Sequence, residues 1–459
     1  MLLSSCLRFN APQGHVTSST TPNQSSTVNA ELQQSESPAR KPLTKVILAL
    51  ADQAFVSLNS FVTMMVVVKF CSTGDLNVYV LAWSILCFFR VIQERMLAAP
   101  YVVFAHQPER ENSSFLGSSL VQQGWFSIAS SVIFIALAIL FKFVPGPEGL
   151  SVCFAVIAVA LPPILLRDHL RAVSCTHFRY GAAALLSGVA LLLQFAIIYV
   201  CYLNSALTAN AVFAAMGVAS LLPALVWLLA RTEPFKFVRQ QISSDWQTCY
   251  RYSSWLVAAR FFPSVVNSLL PFLVLYMVSE DASGIWGSCM TLANVSMMFV
   301  IGCNNLFQPK AVVALQTQGR SAMQHVLGLS AVVFSIVLTV VCLVYFFAGE
   351  HLLTLAFKPK LAPYGNVVTI LSVHVLICSL SIVAGNGLAA LEKSRGIFVG
   401  ELFWSIVTLA AAALLTPEFG LPGTAIAICA GSLAATIIEG GWLVYWLKSE
   451  TFTVREGIA

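Results

Sequence analysis

The chain has 459 residues, 58% hydrophobic and only 10% charged, with a net charge of +5 and a mean hydropathy of +0.82. Soluble domains carry about 25% charged residues, so the composition excludes a large soluble protein and points to a membrane protein with many spans. The basic residues are scattered over short loops, which excludes a nucleic-acid-binding face.

Residues 1–44 are rich in Ser, Thr, Gln, Asn and Pro. They cannot bury a core, and a disordered cytoplasmic tail is expected. From residue 46 on, apolar spans of about 20 residues follow one another. They lie near 46–68, 78–104, 117–141, 150–173, 181–203 and 207–230, then near 254–278, 284–308, 325–347, 364–390, 397–415 and 424–447. The expected fold is therefore all-α and membrane-integral, with about twelve transmembrane helices in two sets of six. The N-terminal set occupies 45–230, a linker 231–253, the C-terminal set 254–447, and a second cytoplasmic tail 448–459. In the linker Phe235, Val238, Ile242 and Trp246 recur at helical spacing, with Lys236 and Arg239 between them. This suits an amphipathic helix lying on the membrane surface, and an ordinary charged loop equally well.

With the N-terminus placed in the cytoplasm, eighteen of the 25 Lys and Arg residues fall on the inner side. Four (Lys69, Lys142, Lys358 and Lys360) fall outside, and Arg90, Arg95 and Arg260 lie within spans. The bias satisfies the positive-inside rule with both termini cytoplasmic. The twelve cysteines form no CxxC pair and no Cys/His cluster. Most sit in apolar spans as small hydrophobes, so neither a disulfide framework nor a metal site is expected.

The second span, from Tyr79 to Val103, carries Arg90, Glu94 and Arg95. A charge near the centre of a membrane helix costs roughly 2.5–3.5 kcal/mol on insertion scales. Three within six residues should face a neighbouring helix or a water-filled cavity. Arg90 and Glu94 stand at i, i+4 and can pair, while Arg95 is turned away from Arg90.

The two halves echo each other at an offset of 206–209 residues. Asp52, Asn59 and Ser60 in span one match Arg260, Asn267 and Ser268 in span seven. Gly74 and the following NVYVLAWSI match Glu280 and the following GIWGSCMTL, and Pro100 matches Pro309. Six spans is an even number, so the halves are parallel repeats about an axis along the membrane normal.

The stretch LADQAFVSLNSFVTMMVV, the small polar turn before NVYVLAWSI, and the Gln-Glu-Arg…Pro close of span two resemble the opening of Wzx-type polysaccharide flippases. These belong to the multidrug/oligosaccharidyl-lipid/polysaccharide (MOP) exporter superfamily. The likeness is strongest over 46–110 and weaker over 254–320, and the Ser/Thr-rich tail departs from the family. It implies two six-helix lobes in a V, as in MATE-type exporters, around a central cavity with alternating access. It also implies an undecaprenyl-diphosphate-linked glycan as substrate and a bacterial cytoplasmic membrane as location. Other membrane proteins of glycan assembly are then the candidate partners, besides the membrane lipids.

Under that reading Arg90, Arg95 and Arg260 are the candidate substrate-binding residues, because a guanidinium fork matches a phosphate bidentately. The alternative for Arg90 is a structural pair with Glu94. Asp52 and Arg260, at matching positions, are the candidate gate, approaching across the axis when the cytoplasmic side closes. Asp52 or Glu94 is the candidate carrier of a coupling proton or sodium ion; no other cofactor is expected. Asn59 and Asn267 should hydrogen-bond between helices, and Asn294, Asn304 and Asn305 should line the glycan side of the cavity. Pro162, Pro163, Pro263 and Pro271 should kink spans four and seven. Glu401 is expected to snorkel from a span end, and Glu439 receives no role.

Two other functions compete. A multidrug or cation antiporter of the same fold would want an acidic, aromatic cavity. A membrane enzyme of glycan assembly would want a larger external loop than 349–363 provides. No Walker A, HExxH or GxSxG motif is present, and an enzyme is not expected.

Overall fold

The computed structural model describes residues 40–105, 111–230 and 232–449, with side chains described from residue 47 onward and not at Asn305. The expectations for the tails therefore lie largely outside the described residues, as does the side chain of Asn305. Helix α1 (Arg40–Phe70) begins before the predicted first span. It turns at Ser72 into α2 (Thr73–Phe104), where the Ser72 hydroxyl caps the new helix by accepting from the Asp75 amide. There follow α3 (Asn112–Leu140), α4 (Leu150–Thr176), α5 (Tyr180–Leu203) and α6 (Ala209–Leu229). The second half holds α7 (Arg239–Met277), α8 (Ala282–Gln318), α9 (Arg320–Ala356) and α10 (Gly365–Ala390).

The last helical stretch, Ser394–Lys448, is broken at Gly420, whose φ of 62° and ψ of −138° no helix accommodates. Pro417 and Pro422 flank the break. Trp404 Nε1 donates to Ser432 Oγ at 3.1 Å across 28 residues, so the chain doubles back as α11 (394–419) and α12 (421–448). Among the described residues this makes twelve apolar helices, and the protein is all-α and multi-pass, as the span spacing predicts.

Two details differ from expectation. Residues 239–253 form no separate surface helix; they are the first four turns of the 39-residue α7, with Asp245, Cys249 and Ser253 buried. Only 232–238 is an extended strap. There Lys236 N donates to Ser113 O, and its carbonyl lies so close over Gly117 that no side chain fits at that position. Lys236 Nζ also binds Glu111 at 2.9 Å, and Arg179 binds Glu233 at 2.6 Å. The lysine and the hydroxyls of Ser113 and Ser114 hold the Glu111 carboxyl down at about 2. Second, α2 widens into a π-turn over Glu94–Ala98. Pro100 has no N–H to offer the carbonyl four residues back, and its ring crowds that carbonyl; the Ala99 amide instead reaches Glu94 O.

The hydrophobic core explains the shape. Near face denotes the membrane side on which α1 begins, and far face the opposite side. Towards the far face one apolar cluster runs through both halves, from Val67, Leu81 and Phe154 to Val274, Trp286 and Leu371. Towards the near face the core divides. One cluster, around Tyr101, Leu170 and Trp227, belongs to the N-terminal half together with Cys249 of α7. The other, around Val300, Phe334 and Val383, belongs to the C-terminal half. Two lobes thus meet at the far face and part towards the near face.

The seam also shows the repeat. Asn77 Oδ1 accepts from Gly284 N at 2.9 Å, and Val80 fills the space a side chain at Gly287 would take. Both pairs are separated by 207 residues, as counted along the chain. Residues matched by the sequence repeat therefore touch, which places the pseudo-twofold axis between α2 and α8.

Candidate functional site

A cavity of about 760 Å³ lies where the lobes diverge. The N-terminal lobe contributes Phe61, Met64, Tyr79, Trp83 and Arg90 from α1 and α2. The C-terminal lobe contributes Arg260 and Asn267 from α7, Trp286 and Asn294 from α8, His374 and Ser381 from α10, and Glu401 and Glu439 from α11 and α12. One wall is thus mainly aromatic and apolar with a single guanidinium, and the other is rich in hydrogen-bonding groups.

Arg90 is placed on the cavity wall as expected, but its partner differs. Arg90 Nε donates to Asp168 Oδ2 on α4 at 2.8 Å, and Arg167 Nη2 donates to the other oxygen at 2.8 Å. Glu94 instead lies 3.6 Å from Arg95, with its side chain 39% exposed. The Arg90–Glu94 pair, the alternative to phosphate binding, is not formed: Asp168, half-buried on a neighbouring helix, takes Arg90, and the π-turn begins at Glu94 itself. Arg95 is absent from the cavity lining.

Asp52 and Arg260 are not brought together in this conformation. Asp52 accepts from Arg171 Nη1 at 2.8 Å and from Ser187 Oγ at 2.6 Å, both within its own lobe. Arg260 Nη1 donates to Glu401 Oε1 at 2.8 Å, again within its own lobe. Glu401 does not snorkel: it faces the cavity with its side chain 21% exposed. Arg167 and Arg171, placed among the loop charges by the sequence, belong to α4.

Among the asparagines, Asn59 donates to Gln194 on α5 at 3.1 Å, the expected bond between helices. Asn267 and Asn294 line the cavity. Asn304 does not; it is 5% exposed and accepts from Asn386 Nδ2 at 2.6 Å. Glu439, given no role by the sequence, is 3% exposed and accepts from Ser381 Oγ at 2.7 Å.

The far face is sealed by polar contacts across the seam. Ser84 and Ser268 each donate to the other's carbonyl, at 3.1 and 2.9 Å. Lys69 donates to Leu355 O, Lys358 to Cys71 O and the Tyr276 hydroxyl to Pro145 O. The cavity therefore communicates with the near side.

The described helices, in two parallel-repeat lobes closed at one face around a charged cavity, form a fold that the chain shares with solved membrane transporters. An inward-facing multidrug resistance MATE family transporter matches with a TM-score of 0.73 at 12% identity, over 87% of this chain and 98% of that one. The lipid II flippase MurJ in an inward closed conformation gives 0.68 at 12% identity, over 88% of each chain. A MOP superfamily transporter from Pyrococcus furiosus, described as having a binding pocket of reverse polarity, gives 0.64 at 13% identity over 89% of this chain and 95% of that one. An outward-facing multidrug resistance MATE family transporter gives 0.63 at 12% identity, over 87% of this chain and 94% of that one. No family model and no curated protein matches the chain. At such identities the likeness is one of fold; these neighbours are transporters and a flippase, not enzymes.

Proposed function

We propose that this chain flips a lipid-linked oligosaccharide, an undecaprenyl-diphosphate glycan, from the cytoplasmic to the outer leaflet of a bacterial cytoplasmic membrane during polysaccharide assembly. The near face is then cytoplasmic, with both termini on that side. The observation that carries the reading is that Arg90 and Arg260 line one cavity from opposite lobes. A diphosphate between them would bind both lobes at once, and so link head-group binding to lobe movement. Asp168 and Glu401 hold the two guanidiniums in place, and a multiply charged diphosphate competes for them. Arg95, outside the wall, is left the lesser role of drawing the anion in. Of the carboxylates considered for proton or sodium coupling, Asp52 is retained. It ties α1 to Arg171 and Ser187 of its own lobe, whereas Glu94 answers Arg95.

A second reading, export of organic cations in exchange for an ion, is favoured by Glu401 and Glu439 on a wall that also carries Trp286 and Trp404. Reconstitution into liposomes separates the two. Under the flippase reading a fluorescent polyprenyl-diphosphate sugar becomes accessible to an external quencher only when protein is present, and Arg260→Ala slows this at least tenfold. Verified reconstitution with no lipid movement, together with export of a cationic dye under a proton gradient, would establish the second reading instead.

A further inference from the structure

The cavity lining is sorted by depth. Depth is measured from the far-face end of each helix, at about 1.5 Å per residue. The four ionisable Arg and Glu side chains of the lining are Arg90, Arg260, Glu401 and Glu439. They stand 17 or 18 residues from the far ends of α2, α7, α11 and α12, which makes one level about 26 Å deep. Trp83, Asn267, Thr291, His374 and Ser432 also line the cavity. They stand 9–11 residues from the far ends of α2, α7, α8, α10 and α12, which makes a second level about 10 Å closer to the sealed face. Hydrogen bonds tie both levels between α10 and α12. Ser381 Oγ donates to Glu439 Oε2 at 2.7 Å. Seven residues deeper on each helix, His374 Nδ1 and Ser432 Oγ are 2.7 Å apart.

The bonds at the deeper level fix where the hydrogens lie. An indole N–H only donates, so Ser432 Oγ accepts from Trp404 Nε1 at 3.1 Å. The proton of the Ser432 hydroxyl then finds its acceptor in His374 Nδ1. A ring nitrogen that accepts carries no hydrogen, so the imidazole is neutral and its N–H is on Nε2. Nε2 itself has no partner among the described residues. His374 therefore presents the cavity with one N–H donor, held in place by side chains of α11 and α12, at a level without formal charge.

We infer that this deeper level is a subsite for an uncharged sugar, with His374 Nε2–H as the donor that selects and positions it. This rests on the flippase reading above and deepens it. A diphosphate held by Arg90 and Arg260 and entering from the near side carries its glycan towards the sealed face, so the first sugar arrives at the level of His374. There a sugar oxygen accepts from Nε2–H, and the Trp83 indole offers a surface to the apolar face of the ring. A sugar bearing an ammonium or a carboxylate finds no counter-ion at this level and gives up its hydration without compensation.

The test uses four polyprenyl diphosphates in proteoliposomes of the full chain: one without sugar, one with glucose, one with glucosamine and one with glucuronic acid. The wild type should move the glucose lipid at least tenfold faster than each of the other three. His374→Leu should move the glucose lipid no more than threefold faster than the sugarless lipid, and should move the sugarless lipid at the wild-type rate. A merely structural role for His374 would lower both rates together. His374→Gln keeps an N–H donor and should restore a preference for the glucose lipid of at least fivefold. A wild type that moves a charged sugar as fast as glucose, or a glucose preference that survives in His374→Leu, overturns this inference and leaves the flippase reading standing. A wild type that moves none of the four overturns both. The comparison of neutral and charged sugars on the wild type decides the matter even if His374→Leu fails to fold.

Discussion

At the scale of single residues, the side chain on which the N-terminal lobe most depends is Asp168. It is the shared acceptor of Arg90 and Arg167, and its side chain is 16% exposed. Removing one member of a buried ion pair costs about 3–5 kcal/mol, because the charge left behind has no compensation. Asp168→Ala should therefore destabilise the protein by about that much in denaturant unfolding, and impair transport. A loss below about 1 kcal/mol would mean that water already screens this site as it does a surface pair. The sequence made half of this network visible. Arg90 is conspicuous because it lies in a long apolar run, but its partner lies 78 residues away, and Arg167 and Arg171 close to a predicted span end read as loop charges. The spacing of Arg167, Asp168 and Arg171 at i, i+1 and i+4, still inside the predicted fourth span, was the available signal. Glu401 and Glu439 were visible as charges in spans, yet nothing in their neighbours told which way they face.

At the scale of elements, glycines mark where helices meet, and two of them should behave differently. Gly287 of α8 abuts Val80 of α2 across the lobe seam, whereas Gly217 of α6 abuts Ala160 of α4 inside one lobe, where an added Cβ would lie 2.7 Å from the alanine Cβ. Overpacking of this kind costs about 1–3 kcal/mol. In Gly287→Ala the cost falls only on the conformation with a closed far face, so the population should shift several-fold or more towards far-face opening. Increased labelling of a far-side cavity cysteine would report it. In Gly217→Ala the cost falls on both conformations, so thermal stability should drop with no change in labelling. The strap at 232–238 gives a second test. Glu111 has its carboxyl held at about 2 rather than the ordinary 4.5, so its contribution is present above the ordinary value and is lost as pH falls towards 2. The site is fully exposed and the effect is small. At neutral pH, Glu111→Gln should speed hydrogen exchange at the Lys236 amide, which donates to Ser113 O. Near pH 2 the variant and the wild type should exchange alike.

At the scale of the whole molecule, the repeat and the seal are one feature. The offset of about 207 residues was legible in the sequence, and the structure turns it into contacts between matched residues at 77 and 284 and at 80 and 287. What the sequence could not tell was which face of the two lobes is closed, since that depends on lobe orientation and not on the identity of any span. Asp52 and Arg260, matched by the repeat, each hold a partner in their own lobe while the far face is sealed. The sealing bonds must break for the cavity to open on the far side, and the reciprocal pair Ser84 and Ser268 ties α2 to α7 at this seam. In a background without Cys87, the double variant Ser84→Cys, Ser268→Cys should form a disulfide on oxidation, since side chains that reach each other's backbone bring the two helices within bridging range. The cross-linked protein should be locked open to the near side. Transport should fall to the level of empty liposomes and return on reduction, and neither single variant should respond to the oxidant. Transport that continues in fully cross-linked protein would show that the lobes do not part along this seam, and would remove rocking about the α2–α8 axis as the route by which the cavity changes sides.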